Sequence, residues 1–474
     1  EGPRVGPRGS GEPASLSASV PAMLLPYLGV PPALRNALLL AGSLLFYAWG
    51  EPVFGLVALG SALLDLVVVR IMLARPGERW RHAWLLVGVA LNLGLLVWYK
   101  YAGFLYGELR GATLGWLALP DLLAPALPIA VSFIVFEKIP SFVDVDRGDG
   151  PPARPRDYLL YVFLFPKLMA GPILQYHDLA PQMGRRALRQ QDLAVGLLRF
   201  SVGLAKKLLI ADSIAVIADD VFARGAGELE SWYAWLGLLA FAMQLYFDFS
   251  GYSDMAIGLA RCFGFRLREN FRRPYLAESV RAFWQRWHIS LMLFIRDYLY
   301  RALRSERRGP LRTYAILWIC FLATGLWHGA NWTFIVWGAL HGLLLTLERL
   351  GGGRLLKRLP RALRILVTFL LVMLTLAIFR ATDLSHAGAY LGALFGLGSG
   401  EIEFLVLPRD GLFALAAALA IVFLPGFPAV DRLASRLCLG EARPLALAGG
   451  LVLLALAAGK AMAVAFHPFL YFRF

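Results

Sequence analysis

The octapeptide Gly325-Leu326-Trp327-His328-Gly329-Ala330-Asn331-Trp332 sets an imidazole inside an apolar run that extends from about Tyr314 to Glu348. An ionisable or strongly polar side chain at bilayer depth costs at least ~2.5–3.5 kcal/mol on insertion scales, so one that is retained is read first as functional. Imidazole titrates near neutrality, and one ring nitrogen can accept a proton from a hydroxyl while the other is held by a hydrogen bond. His328 is therefore the strongest general-base candidate in the chain. Its flanking glycines are expected to let a substrate approach the backbone, and Trp327 and Trp332 to line an apolar slot. The competing reading is a structural histidine bonded between helices.

A second histidine, His288, stands in Phe283-Trp284-Gln285-Arg286-Trp287-His288-Ile289-Ser290-Leu291, on a basic, aromatic segment. From there it either reaches the site and orients a substrate or His328, or is a solvated interfacial side chain. The third polar constellation is Tyr246-Phe247-Asp248-Phe249-Ser250-Gly251-Tyr252-Ser253-Asp254, deep in another apolar span. Six residues of regular helix turn through about 600°, so Asp248 and Asp254 do not share a face unless Gly251 breaks the helix. A paired-carboxylate acid/base site is not supported. A polar break lining a cavity is the expectation, with a cation or proton path as the alternative.

Nucleophilic catalysis by Cys320 fails on geometry. Eight helical residues separate it from His328 by ~12 Å of rise, against the ~3 Å that a thiol–imidazole pair needs. His341, thirteen residues after His328, is read as a packing or supporting residue on the far side of one long helix. His82, His177, His386 and His467 fall near span ends. The three cysteines, Cys262, Cys320 and Cys438, show no metal-ligand spacing and no disulfide framework, so no metal site is expected.

The elements that must carry these residues are dictated by composition. Of 474 residues, 58% are hydrophobic and only 17% charged, against roughly 25% in soluble domains, and mean hydropathy is +0.61. This excludes disorder and points to an all-α polytopic membrane protein. Candidate spans fall at about 34–49, 53–73, 83–99, 122–143, 157–175, 193–217, 232–260, 314–346, 362–379, 411–424 and 445–466, roughly eleven transmembrane or re-entrant helices. Pro128, Pro140, Pro166, Gly171 and Pro172 interrupt two of them, which predicts irregular backbone around a polar cavity. Residues 1–20 read as a disordered leader, 21–474 as one integral membrane domain whose own spans direct insertion.

The net charge of +15 is assigned to cytoplasmic loops rather than to nucleic-acid binding. Residues 261–312 concentrate it, with Arg266, Arg268, Arg272, Arg273, Arg281, Arg286, Arg301, Arg304, Arg307 and Arg308 among Phe271, Tyr275, Phe283, Trp284 and Trp287. This pattern predicts an amphipathic helix in the headgroup layer on the cytoplasmic side. Its arginines either bind anionic lipid or receive the phosphates of a CoA-like donor, Arg272, Arg273 and Arg286 in particular.

In order along the chain come Leu44-Leu45-Phe46-Tyr47-Ala48-Trp49-Gly50, Met169-Ala170-Gly171-Pro172-Ile173, Phe247 to Asp254, Asn270 through Pro274-Tyr275-Leu276, Trp287-His288-Ile289-Ser290-Leu291, Gly325-Leu326-Trp327-His328-Gly329 and the terminal Pro468-Phe469-Leu470-Tyr471-Phe472-Arg473-Phe474. On these blocks the sequence resembles the membrane-bound O-acyltransferase (MBOAT) superfamily, within it the bacterial alginate O-acetylation branch, and more distantly the teichoic-acid D-alanyl transfer proteins. It departs from the branch at Met292-Leu293-Phe294 after the interfacial histidine and at Lys167 before the Ala-Gly-Pro block.

The resemblance implies a multi-helix fold with a tunnel, His328 as the catalytic histidine and His288 close to it. It also implies transfer of an acyl group, by likeness acetyl, from a cytoplasmic thioester such as acetyl-CoA to an extracytoplasmic polysaccharide. No tightly bound cofactor is implied; a periplasmic or surface esterase-like partner is, and so is a place in the bacterial cytoplasmic (inner) membrane among its lipids. In that scheme His328 deprotonates the acceptor hydroxyl, the tunnel excludes water, and Asn331 holds His328 or polarises the acyl carbonyl. Trp287, Asp248, Ser250 and Asp254 join Trp327, Asn331 and Trp332 as substrate-binding candidates. A lipid O-acyltransferase of the same superfamily and a secondary transporter are the alternatives, although no internal repeat duplicates the Asp248–Asp254 block.

Overall fold

A computed structural model describes residues 22–75, 77–113, 127–148, 154–169, 171–184, 186–225, 229–304, 309–398, 407–427, 444–463 and 469–470; the leader expected at 1–20 lies outside them. Among these residues there are helices and turns and no strand. Seven of the described helices are long and apolar enough to cross a membrane: Pro52–Ala74, Glu78–Ala112, Pro310–His328, Trp332–Leu356, Arg361–Arg380, Arg409–Gly426 and Pro444–Ala463. The chain is a multi-pass membrane protein of all-α architecture.

The expected eleven spans differ from these seven in instructive ways. The run 314–346 is not one helix but two, because the chain leaves helical geometry at Gly329 and restarts at Trp332, where Asn331 caps the new helix by accepting from the Thr333 amide at 3.1 Å. Pro140 does not break its segment: Val131–Arg147 runs through it. The stretch 157–175 is interrupted as expected, into Pro155–Phe163 and Phe165–Leu168, and its apolar residues from Leu160 to Met169 are buried.

The chain folds into two compact units, one made of the described residues up to 197 together with 256–268, the other of 198–255 together with those from 269 onward. In the first, Val68, Val69, Met72, Leu85, Phe142 and Val145 make a core, and Gly88 permits close packing on the Phe142 ring, where a Cβ would lie 2.8 Å from it. Two buried ion pairs sit beside one another in sequence. Lys138 meets Asp65 at 3.2 Å, Asp65 also accepting from Asn92 and Tyr158, and Glu137 pairs with Lys167. The departure at Lys167 is thus matched by a buried carboxylate, which removes the cost of an isolated charge.

The second unit has one large core that includes Leu238, Phe241, Tyr275, Trp284, Phe321, Trp337, Phe369 and Leu376. The Pro310–His328 and Trp332–Leu347 helices form a hairpin that closes at two glycines. A Cβ at Gly325 would lie 2.3 Å from the Phe334 carbonyl oxygen, and one at Gly338 would lie 2.4 Å from that of Phe321. Gly203 and Gly251 make a similar crossing: a Cβ at Gly203 would lie 2.5 Å from the Gly251 carbonyl oxygen, and one at Gly251 would lie 2.8 Å from that of Gly203.

Candidate active site

All parts of this site belong to the second unit. A cavity is walled by Leu245, Asp248 and Phe249 from the Ser231–Cys262 helix, by Tyr275, Phe283 and Trp287, by His328, by Trp337 and His341, by Val372, Leu376 and Phe379, and by Leu470. The wall is mainly aromatic and aliphatic; its lining residues also include two histidines, one aspartate, Tyr275 and two tryptophans with polar groups. Such a lining suits an apolar chain held against a few directing groups.

His328 ends its helix and is buried. Its ring meets Trp337 and Phe379 edge-on, with centroids 5.1 and 5.2 Å away, and Trp327 at 5.0 Å. His341 reaches the same cavity because the chain reverses at Gly329–Asn331; the placement on the far side of one continuous helix is corrected by this turn. The Trp284 indole donates to His341 Nδ1 at 3.2 Å, so the neutral ring carries its proton on Nε2, 3.1 Å from Thr375 Oγ1, which in turn donates to the Val372 carbonyl at 2.7 Å. With both nitrogens engaged, His341 is a packing and hydrogen-bonding element of the wall.

His288 is fully buried, which corrects the solvated alternative. Its ring packs edge-on against Phe249 at 4.6 Å and lies 5.5 Å from Trp327. Trp327 therefore touches both histidine rings, but it is buried between side chains and, like His288, does not line the cavity, which corrects the apolar-slot role expected of it. Burial pushes the His288 imidazole down to about 3, so it is neutral at physiological pH.

The segment around it is not an amphipathic helix lying in the headgroup layer. It folds as short pieces, Pro274–Leu276, Val280–Trp284 and Ile289–Phe294, whose Tyr275, Phe283, Trp284 and Trp287 neighbours and members are buried. Phe283 and Trp287 stack at 5.5 Å, and Tyr275 and Phe283 at 6.3 Å. Of the aromatics that read as interfacial, Tyr275, Phe283 and Trp287 are cavity wall, and Trp284 is buried beside it against Trp337 and His341. Arg272 and Arg273 are exposed, while the Arg286 guanidinium donates to the Leu276 carbonyl at 3.2 Å and supports this fold.

The Asp248–Asp254 block also differs from its expectation. The Ser231–Cys262 helix runs unbroken through Gly251, so the two carboxylates do face different ways. They are met by consecutive lysines from a π-helical turn, Lys206–Ala211, inserted where the helix Gln190–Ala205 continues toward Asp212. Lys206 reaches Asp254 at 2.6 Å and lies 3.5 Å from Ser250 Oγ; Lys207 reaches Asp248 at 2.7 Å and Asp212 at 2.8 Å. Arg199 bridges Asp254, at 2.9 Å, and Glu269. Asp248 lines the cavity, but as half of an ion pair, and its other oxygen accepts from the Leu470 amide at 3.0 Å. Ser250 and Asp254 do not line it.

Two further expectations are redirected. Both ends of the Asn331 amide are used structurally, Oδ1 on Thr333 and Nδ2 on the Thr382 carbonyl at 2.8 Å, so it is a helix cap rather than a group facing an acyl carbonyl. Trp332 is 47% exposed and outside the cavity wall. The space beside Gly325 and Gly329 is filled by protein, at Gly329 by the Phe334 ring, and none is left there for a substrate. Sequence reasoning missed Phe379, Val372 and Leu376, which ordinary apolar helix residues could not signal. It also missed Asn270, which stands in one of the motif blocks but carried no assigned role.

A family model for MBOAT, the membrane-bound O-acyltransferase family, matches residues 153–354, which span both histidines. A protein of Pseudomonas syringae named a probable alginate O-acetylase is 42% identical over 392 residues, 82% of this chain and 75% of its own. One of the same name from Pseudomonas putida is 39% identical over 461 residues, 93% and 94% of the two chains. A peptidoglycan O-acetyltransferase of Helicobacter pylori is 35% identical over 422 residues, 81% and 79%. At this identity and coverage, the chain belongs to the membrane-bound O-acyltransferase family.

Proposed function

We propose that this O-acyltransferase takes an acetyl group from acetyl-CoA on the cytoplasmic side of the bacterial inner membrane and passes it outward for O-acetylation of a polysaccharide, with His328 as general base. The observation that carries the reading is the placement of His328 at the wall of a mainly apolar cavity, with His341 already committed to two hydrogen bonds. The names of the relatives, probable alginate O-acetylase and peptidoglycan O-acetyltransferase, support a glycan acceptor.

In the mechanism, His328 takes the proton of the acceptor hydroxyl as its oxygen bonds to the thioester carbonyl carbon. The C–S bond then breaks, and the imidazolium returns the proton to the leaving thiolate. The aromatic wall keeps out water that would hydrolyse the thioester. In this reading the exposed Arg272 and Arg273 receive the donor's phosphates, and Trp287 and Asp248, both in the cavity lining, border the acyl group. An esterase-like protein on the outer face completes delivery to the glycan.

The test uses native membranes that retain any partner. Labelled acetyl-CoA is supplied from the cytoplasmic face, and label is measured separately in polysaccharide and lipid. Label in polysaccharide for wild type and its loss in His328→Ala at equal protein level is the expected result. Label in lipid alone would assign a lipid acceptor, and thioester consumed equally by His328→Ala would remove that residue from the mechanism.

A further inference from the structure

Asn270 is tied to the His288 loop through both its backbone and its side chain. Its carbonyl accepts from the Ile289 amide at 3.0 Å, and the Arg272 amide donates to the Arg286 carbonyl at 2.9 Å, so residues 270–272 clamp residues 286–289. Within the clamp, His288 adopts left-handed backbone geometry, φ +44° and ψ +52°, a conformation costly for a residue with a Cβ and kept only where surrounding contacts impose it. The Asn270 side-chain oxygen accepts from the Ser290 amide at 3.1 Å and from Ser290 Oγ at 2.9 Å, and it lies 3.2 Å from His288 Nδ1. Its amide nitrogen donates to Ser253 Oγ at 3.1 Å.

This arrangement decides the protonation of His288 by elimination. The Ser290 backbone N–H can only donate, so the Asn270 atom facing it is the oxygen and not the nitrogen. A carbonyl oxygen only accepts, and the Ser290 hydroxyl, 3.5 Å from His288 Nδ1, lies nearer to Asn270 Oδ1 at 2.9 Å and donates there, so His288 Nδ1 carries the hydrogen in its 3.2 Å contact with that oxygen. In a neutral imidazole the lone pair is then on Nε2, an atom that is buried and has no hydrogen-bond partner among the described residues. An acceptor left unsatisfied inside a protein is costly unless a ligand completes it.

We propose that Asn270 is a positioning residue of the acyl transfer, holding His288, whose ring packs on Trp327 outside the cavity lining, as the neutral Nδ1–H tautomer so that Nε2 is available only as a hydrogen-bond acceptor and never as a donor or a cation. The inference rests on the acyltransferase reading above for its reaction, but its structural content does not.

The experiment is 15N NMR of the purified full chain labelled at histidine, with the His288 resonances assigned by their loss in His288→Gln. The expected signature at neutral pH is a protonated, pyrrole-type Nδ1 and an unprotonated, pyridine-type Nε2. In Asn270→Ala this signature gives way to a tautomer mixture, and kcat falls by about 10²-fold with KM little changed. Asn270→Asp keeps an acceptor at the same place and restores the signature and most of kcat. If Asn270→Ala does not fold, the wild type and Asn270→Asp spectra decide. A pyrrole-type Nε2 in wild type overturns the proposal, as does an Asn270→Ala protein with unchanged tautomer. Absence of acyl transfer in every protein, with the wild-type signature intact, would instead strike the function and leave the tautomer standing.

Discussion

The Trp284 indole donates to His341 Nδ1 across 3.2 Å of buried space, and this contact commits one of the cavity's two histidines to the wall. An indole is a donor only, so His341 must give its remaining proton to Thr375. Trp284→Phe keeps the aromatic packing on Phe321 and Trp337 but leaves His341 Nδ1 unsatisfied. Thermal unfolding in detergent should show a loss of about 1–3 kcal/mol, with acyl transfer per folded molecule retained. A variant as stable as wild type but inactive would place His341 in the chemistry.

Asp248 joins three segments, accepting from Lys207 and from the Leu470 amide while lining the cavity. Both charges of the pair are almost wholly buried. Asp248→Ala leaves Lys207 with Asp212 alone and should cost about 3–5 kcal/mol, the usual range for breaking a buried pair from one side. Asp248→Asn still accepts from Leu470 and should fall between wild type and Asp248→Ala. Folded yield and melting temperature of the two variants, compared with Ser250→Ala, rank the effects; equal stability of all three would refute the ion-pair role.

His288 gives the stability a definite pH dependence. Its folded-state pKa is pushed to about 3 by burial, below the ordinary ~6.5 of an unfolded histidine. Between those values the unfolded chain binds a proton that the folded chain refuses, so this contribution is complete above about pH 6.5 and is lost as pH falls toward 3. The slope attributable to this one group is at most ~1.4 kcal/mol per pH unit. Unfolding of wild type and His288→Gln between about pH 4 and 7 should differ by up to one proton, with the variant less acid-sensitive. Parallel curves would show that His288 is not held neutral.

The glycine seam of the hairpin should tolerate no methyl. At Gly338 a Cβ would meet the Phe321 carbonyl oxygen at 2.4 Å, and Trp337, which touches His328, is the adjacent residue. Gly338→Ala is expected to cost about 1–3 kcal/mol by overpacking and to lower kcat through His328 misplacement. Gly60→Ala, in a helix with nothing within 4 Å of the added atom, should be neutral or slightly stabilising. Similar effects at both positions would mean that helix propensity, not close approach, governs the seam.

Much of the protein was legible from residue types alone. Apolar runs of about 20 residues determine a multi-pass helical chain because lipid leaves backbone groups no partner but one another. An imidazole inside such a run declares itself by its insertion cost, and the ordered motif blocks marked the family. What sequence could not decide was which neighbour satisfies each polar group. A short turn at Gly329–Asn331 reversed the chain and brought His341 back to the cavity of His328, where a straight helical period had set it aside. A π turn at Lys206–Ala211 put two consecutive lysines on two carboxylates that no helical spacing joins. Asn331 became a cap, Trp332 a surface residue, and Tyr275, Phe283 and Trp287 a cavity wall, because those outcomes depend on partners distant in sequence. Periodicity reports what a single helix can bury; pairing of charges and protonation of rings are set only when helices meet.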